Sequence, residues 1–128
     1  MSSPYAEPVL GWYACHARDL PWRAPDATPW SVLVSEIMLQ QTPVARVLPA
    51  HASWLARWPT PAALAAEPAG EAIRQWGRLG YPRRALRLHE TATILLTRHG
   101  GTVPADREAL LALPGIGSYT AAAVASFA

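Results

Sequence analysis

Three times in its first half the chain sets threonine directly before proline, at Thr28-Pro29, Thr42-Pro43 and Thr60-Pro61. A threonine hydroxyl can accept a hydrogen bond from an unpaired amide in a helix's first turn. Proline's fixed φ and missing N–H suit the first helical position. The pair is therefore a helix-start signal, and apolar residues at helical spacing follow it. Thr28-Pro29 opens a helix to about Gln40, with Trp30, Leu33, Val34, Ile37 and Met38 inward. Thr42-Pro43 opens the next, with Val44, Val47, Leu48, Trp54, Leu55 and Trp58 inward, and Thr60-Pro61 opens a short one. Pro82 starts another that runs to about Arg98 through Leu86, Leu88, Ala92 and Leu95. Asp106 caps a short helix ending near Leu113, and a first helix is expected from Glu7 to Ala17. No run alternates apolar and polar residues with β-branched enrichment, so no strand is expected. The fold class is all-α, with short connections and no repeat.

Length and composition set the bounds. The chain has 128 residues, of which 51% are hydrophobic and 16% charged. That suffices for one compact domain, or part of a larger one, and excludes a disordered charged tail. A single cysteine, Cys15, excludes a disulfide framework and a multi-cysteine metal site within these residues. No apolar run reaches a membrane span, and Met1-Ser2-Ser3-Pro4 does not begin a signal peptide. A cytoplasmic protein is the expectation. All 11 basic residues are arginine, which fits bidentate phosphate contacts as well as a GC-rich codon bias. Arg74, Arg78, Arg83, Arg84, Arg87 and Arg98 form the most basic stretch, readable as a phosphate-facing surface or as a solvated helix face.

Leu113-Pro114-Gly115-Ile116-Gly117 lies between two helical segments, with Ser118 after it. Two glycines around one apolar residue allow a tight turn with positive φ, anchored in the core by Ile116. Ser118 is then a candidate cap, and the free amides of the last helix form an anion site. This is a helix-hairpin-helix pattern, which holds a DNA backbone without reading its sequence. The plainer reading is a helix corner with glycine caps. The last helix, Ser118 to Ala128, carries no stop signal, as expected of a chain that continues.

Ser35-Glu36-Ile37-Met38-Leu39-Gln40-Gln41-Thr42 places an acid within an apolar helix. Partial burial of Glu36 would raise its pKa and hold it protonated near neutral pH. A protonated carboxyl beside a flipped base can donate to a purine nitrogen and make the base a better leaving group. Glu36 on a polar helix face beside Ser35 is the alternative.

Leu20-Pro21-Trp22-Arg23, Thr28-Pro29-Trp30, the Ser35 to Thr42 segment, Gly80-Tyr81 and the Leu113 to Gly117 hairpin occur in one order. Together, from about Val9 to Ala128, they resemble the adenine DNA glycosylases of the helix-hairpin-helix superfamily, which excise adenine mispaired with 8-oxoguanine. The resemblance implies an incomplete helix-hairpin-helix glycosylase fold: residues 1–128 would be the N-terminal helix plus most of the six-helix barrel domain. It makes Glu36 the general acid. Arg18, Trp22 and Leu39 would line the adenine pocket. Gln41 and Tyr81 would push into the duplex, with Thr42, Gly115, Gly117 and Ser118 also at the DNA. Core packing is the alternative for Trp22, Leu39 and Tyr81. Pro82 departs from the family, many members of which carry a second tyrosine there.

The same resemblance separates two chemistries. The endonuclease III-like branch, a glycosylase with lyase activity, carries a lysine shortly after the hairpin glycines to form a Schiff base. Tyr119 stands at that place, and the chain has no lysine. A monofunctional glycosylase that uses water is implied, with Tyr119 near the reacting sugar. The family also has a catalytic aspartate, four cysteines holding a 4Fe–4S cluster and an 8-oxoguanine-recognition domain. None of these lies within residues 1–128, and Cys15 matches no cluster ligand. The chain alone is expected to be inactive. The expected partner is double-stranded DNA with an adenine:8-oxoguanine mispair, bound by a monomer at the bacterial nucleoid, with no membrane. The rival classes are a non-catalytic helix-hairpin-helix DNA-binding module and a helical protein with no nucleic-acid role.

Overall fold

The Thr28 hydroxyl accepts the Ser31 amide at 3.1 Å, and Pro29 enters the first turn of helix α1, Pro29–Leu39. The computed structural model describes residues 27–40, 42–114 and 116–125, without the side chains of Arg78, Ser118 and Tyr119. After α1 come α2 (Val44–Arg57), α3 (Pro61–Ala65) and α4 (Ala69–Trp76). A 3-10 turn (Gly77–Leu79), α5 (Arg83–His99), α6 (Arg107–Leu111) and α7 (Ser118–Ala125) complete the order. Among the described residues all regular structure is helical, as expected. The helix expected from Glu7 to Ala17 lies outside them.

Local chemistry accounts for several boundaries. Thr60 caps α3 by accepting the Ala63 amide at 3.2 Å, and Asp106 caps α6 through Ala109, also at 3.2 Å. Helix α5 stops at Gly100, whose φ of 63° is left-handed, and the Gly101 amide returns to the Leu95 carbonyl at 2.8 Å. Thr42 breaks the pattern. The cap position of α2 is Pro43, with no side-chain cap, because the Thr42 hydroxyl is engaged elsewhere. Proline is not always punctuation either, since Pro49 lies inside α2. Helix α4 was not expected. Its signals are Glu71 in the first turn, Arg74 in the last and Gly77 at φ 58° after it, but only Ala72 and Trp76 are buried.

Helix α1 is the centre. Trp30, Val32, Leu33, Val34, Ile37 and Met38 are all buried, and so are Ser31 and Ser35. A helix apolar on nearly every face must be enclosed, and α2, α5 and α7 pack against it. Ser31 and Ser35 turn their hydroxyls back to the carbonyls of Thr28 and Val32 at 2.9 and 2.7 Å, which satisfies them inside the core. Two tertiary bonds fix the first half of α1 to α2. Trp30 Nε1 donates to the Trp58 carbonyl at 3.1 Å, and His51 Nε2 donates to the Ser31 carbonyl at 2.9 Å. Beside them Trp54 meets Trp58 and Trp76 edge-on, with ring centroids 4.7 and 5.6 Å apart.

Helix α5 is the second support, with α3, α4 and α1 against it. Leu88, Ala92 and Leu95 are fully buried as expected, but Leu86 is 41% exposed. No helix among the described residues is long and apolar enough to cross a membrane.

Burial lowers the pKa of His51, and its bond to the Ser31 carbonyl opposes that only in part. The unfolded chain therefore binds the proton more readily than the folded one. Stability from this group is full above the ordinary histidine pKa of about 6.5 and falls as pH drops below it toward the folded value. Unfolding titrations at pH 7.5, 6.5 and 5.5 should show that loss. His51→Gln, which keeps a donor for Ser31, should flatten it.

Candidate active site and nucleic-acid interface

Glu36 is the only ionisable residue in the segment that forms α1. It sits between buried Ser35 and Ile37 and is itself half-buried, so the polar face it would have shared with Ser35 is not there. The helix that carries it is tied to α2 near its start and packs on α7, the helix that follows the hairpin. A carboxyl on so enclosed a helix has a fixed origin, which proton transfer to a held base requires. Leu39, expected in the adenine pocket, is half-buried at the end of the same helix. Arg18 and Trp22, expected beside it, lie outside the described residues, as does Gln41.

The end of α1 is closed by Arg84, a residue of α5. Its Nη1 donates to the carbonyls of Ile37 at 3.1 Å, Met38 at 2.9 Å and Gln40. Its Nη2 donates to the Thr42 hydroxyl at 2.9 Å and to the carbonyls of Gly80 at 3.1 Å and Leu79 at 3.4 Å. The guanidinium also lies 5.1 Å from the Trp76 ring and 5.6 Å from the Tyr81 ring. Burial lowers its pKa, and the helix carbonyls, at the negative end of the α1 dipole, compensate the charge. Arg84 therefore does not belong to a phosphate-facing surface, because it is only 8% exposed. Thr42 also departs from its expected place at the DNA. Its side chain is 5% exposed, and its hydroxyl accepts from Arg84 and donates to the Leu79 carbonyl at 3.4 Å.

Tyr81 is the opposite case. It is 61% exposed, which core packing does not explain. Its φ of 52° is left-handed, the one such non-glycine value among the described residues. Strain of this kind persists where the surroundings hold it. Here Trp76 Nε1 donates to the Gly80 carbonyl at 2.8 Å, and Arg84 donates to the same carbonyl.

The other arginines divide. Arg74 pairs with Glu71, which Arg57 also meets at 2.8 Å, so Arg74 is engaged on the protein surface. The side chain of Arg78 is not described. Arg83, Arg87 and Arg98 are exposed, on one face of α5 by their helical spacing, with Glu90 on that face too. Arg98 is about 22 Å along the helix from Arg83 at 1.5 Å per residue. Of these three exposed arginines, Arg83 and Arg87 are the ones within two turns of Tyr81 along the chain.

At the hairpin, Leu113 and Ile116 are buried, so Ile116 anchors the turn as expected. Thr91 of α5 donates to the Pro114 carbonyl at 3.1 Å. The Gly117 carbonyl accepts the Ala121 amide at 2.9 Å, which puts the cap position at Gly117 rather than Ser118. Gly117 does not use the positive φ open to a glycine, and nothing lies within 4 Å of where its Cβ would be. Its smallness leaves open space at the mouth of α7. Gly115 lies outside the described residues, and Ser118 and Tyr119 are placed on α7 by backbone alone.

A model of the HhH-GPD superfamily of base excision DNA repair proteins matches residues 34–124, from within α1 to within α7. The chain belongs to this superfamily. This HhH-GPD chain is 58% identical over 120 residues to an adenine DNA glycosylase of Mycobacterium tuberculosis, covering 94% of the chain and 40% of that protein. It thus spans well under half the length of that relative. A thermostable thymine-DNA glycosylase shares the fold with a TM-score of 0.80 and 31% identity, over 94% of this chain and 55% of the other. An endonuclease III in a non-covalent DNA complex aligns with a TM-score of 0.73 and 25% identity, over 91% of this chain and 58% of the other. The chain therefore has part of the helix-hairpin-helix glycosylase fold, as the resemblance implied.

The residues in hand do not fit an iron–sulfur cluster. Cys15 is the chain's single cysteine, and no group of three or more His, Cys, Asp or Glu gathers among the described residues.

The exposure and strain of Tyr81 yield a stability test. Tyr81→Gly should change the unfolding free energy by no more than about 1 kcal/mol, because relief of the left-handed φ offsets the lost ring contacts and the added chain entropy. A loss above about 2 kcal/mol, the range of a structural side chain, would show that the ring serves the fold.

Proposed function

We propose that this chain is the N-terminal part of the catalytic domain of an adenine DNA glycosylase. The reaction is hydrolysis of the bond between adenine and deoxyribose, in double-stranded DNA where adenine faces 8-oxoguanine or guanine. The observation that carries this reading is Glu36, the lone acid of the enclosed helix α1, within a chain 58% identical to an adenine DNA glycosylase.

In this reading Glu36 gives its proton to a ring nitrogen of the flipped adenine. The electrons of the glycosidic bond then leave with the base, and water completes the sugar. Leu39, Arg18 and Trp22 line the adenine pocket. Tyr81 and Gln41 enter the duplex and offset the unstacking that flipping requires. The hairpin holds the backbone through the amides at the start of α7, with Gly115, Gly117 and Ser118 at the phosphate. Arg83 and Arg87 add phosphate contacts beside Tyr81. Tyr119 stands where the lyase branch has its lysine, and the absence of any lysine in the chain favours water over an amine nucleophile. The setting is a monomeric enzyme at the nucleoid.

Glu36→Gln, made in the protein that carries this chain, should leave affinity for mispaired duplex within about twofold. It should reduce adenine release by at least the 10²–10⁴-fold typical of general acid–base catalysis. Near-normal release from the variant would sink the role of Glu36. Borohydride trapping during turnover should yield no protein–DNA adduct, whereas an adduct would mean lyase chemistry.

Gly117→Ala tests the hairpin separately. Alanine fits the open space, so stability should fall by no more than about 1 kcal/mol, the scale of a cap substitution. Affinity for undamaged duplex should drop about tenfold, which corresponds to about 1.4 kcal/mol. Unchanged affinity would place the backbone contact elsewhere.

A further inference from the structure

Arg84 is a buried cation, and no ion pair among the described residues includes it. It is not required merely to fill space, since apolar side chains commonly replace buried charges without loss of stability. What it does that an apolar residue cannot is bind two separate segments at once. One is the end of α1 at Ile37, Met38 and Gln40, continued by the Thr42 hydroxyl. The other is Leu79 and Gly80, immediately before Tyr81. Gln40 and Thr42 flank Gln41 in the chain, so a single guanidinium holds both neighbours of Gln41 and the residue before Tyr81. The Thr42 hydroxyl closes the array by donating to the Leu79 carbonyl at 3.4 Å.

We infer that Arg84 is a positioning residue that sets the separation of the Gln40–Thr42 segment and the Gly80–Tyr81 turn, so that Gln41 and Tyr81 enter DNA as a matched pair. This rests on the proposed entry of those two side chains into the duplex. The planar fork makes this possible. Its two terminal nitrogens face different acceptors in fixed directions, whereas a lysine ammonium is one compact point charge that cannot span both segments.

The test uses the protein carrying this chain and a duplex with 2-aminopurine opposite 8-oxoguanine. Protein is saturating, and the fluorescence rise on base extrusion is the signal. Arg84→Lys keeps the charge. It should bind undamaged duplex within about twofold of the parent, with the same salt dependence, while the extrusion rate falls at least about tenfold. Extrusion at the parental rate overturns the inference, because charge alone would then suffice. A salt slope reduced by about one phosphate contact also overturns it, because Arg84 would then be touching DNA. Thr42→Val removes only the hydroxyl from the array and carries the same test should Arg84→Lys fail to fold. A several-fold slower extrusion supports the inference, and an unchanged rate overturns it. Gln41→Ala and Tyr81→Ala run alongside. If they slow extrusion and the Arg84 and Thr42 variants do not, this inference alone fails. If they leave extrusion intact, the entry of these side chains into DNA has failed first.

Discussion

Everything in this fold depends on enclosing α1. Its buried Trp30, Leu33, Val34, Ile37 and Met38 point in too many directions for one neighbour to cover. Each such side chain contributes roughly 1.5–3 kcal/mol only if it is fully removed from water. Three helices must therefore surround it, and α2, α5 and α7 do. The connections follow from that demand: α3 and α4 pack on α5 as it returns, and α6 leads into α7. Enclosure also decides where chemistry can be placed. An acid on a helix held on several sides cannot drift, so Glu36 inherits the rigidity of the core at no further entropic expense beyond its own side chain.

The two ends of α1 are secured by different means, and the difference bears on function. Near the start, neutral bonds from Trp30 and His51 join helix to helix inside an aromatic cluster. At the end, a charged group joins the helix to a turn. Helix C-termini carry unpaired carbonyls and negative partial charge, which a guanidinium can satisfy several at a time. The first arrangement is one that packing alone could reproduce. The second fixes two loops relative to each other, and those loops carry the residues proposed to meet DNA. Arginine thus serves two ends in one short stretch. Arg84 organises the interior, while Arg83 and Arg87 remain at the surface.

What could be read from the residues alone was what local chemistry decides. Thr28, Thr60 and Asp106 cap helices because the amides they bind lie three residues away. The all-helical class and the buried Ile116 of the hairpin follow from spacing and composition in the same way. Thr42 shows the limit. It has the same Thr-Pro signal as the other two, yet its hydroxyl answers Arg84 from 42 residues away instead of its own helix. Arg84 was equally illegible, since neighbouring arginines at positions 83, 84 and 87 look alike until the helix turns one of them inward. Helix α4 buries too little to announce itself by periodicity. Glu36 was undecided: an acid among apolar neighbours but beside Ser35 reads as half-buried or as part of a polar face. The burial of Ser35 itself removes that polar face, while the proposed role of Glu36 came from the family resemblance.

Pro82 gives the Tyr81 turn its particular character. Proline disfavours the right-handed helical region for the residue before it, and at φ −62° Pro82 is already set for the first turn of α5. Tyr81 therefore cannot simply extend the helix backwards, yet it does not take the extended conformation that proline favours either, and its φ is left-handed. That conformation is unfavourable for a tyrosine and needs support. Trp76 and Arg84 supply it at the Gly80 carbonyl, and the Gly80 φ of 85° is one that only glycine adopts readily. The exposed ring thus follows a peptide unit held by a glycine and two buried side chains. A side chain that must enter a DNA stack gains from such preorganisation, because little freedom remains to be lost when it binds.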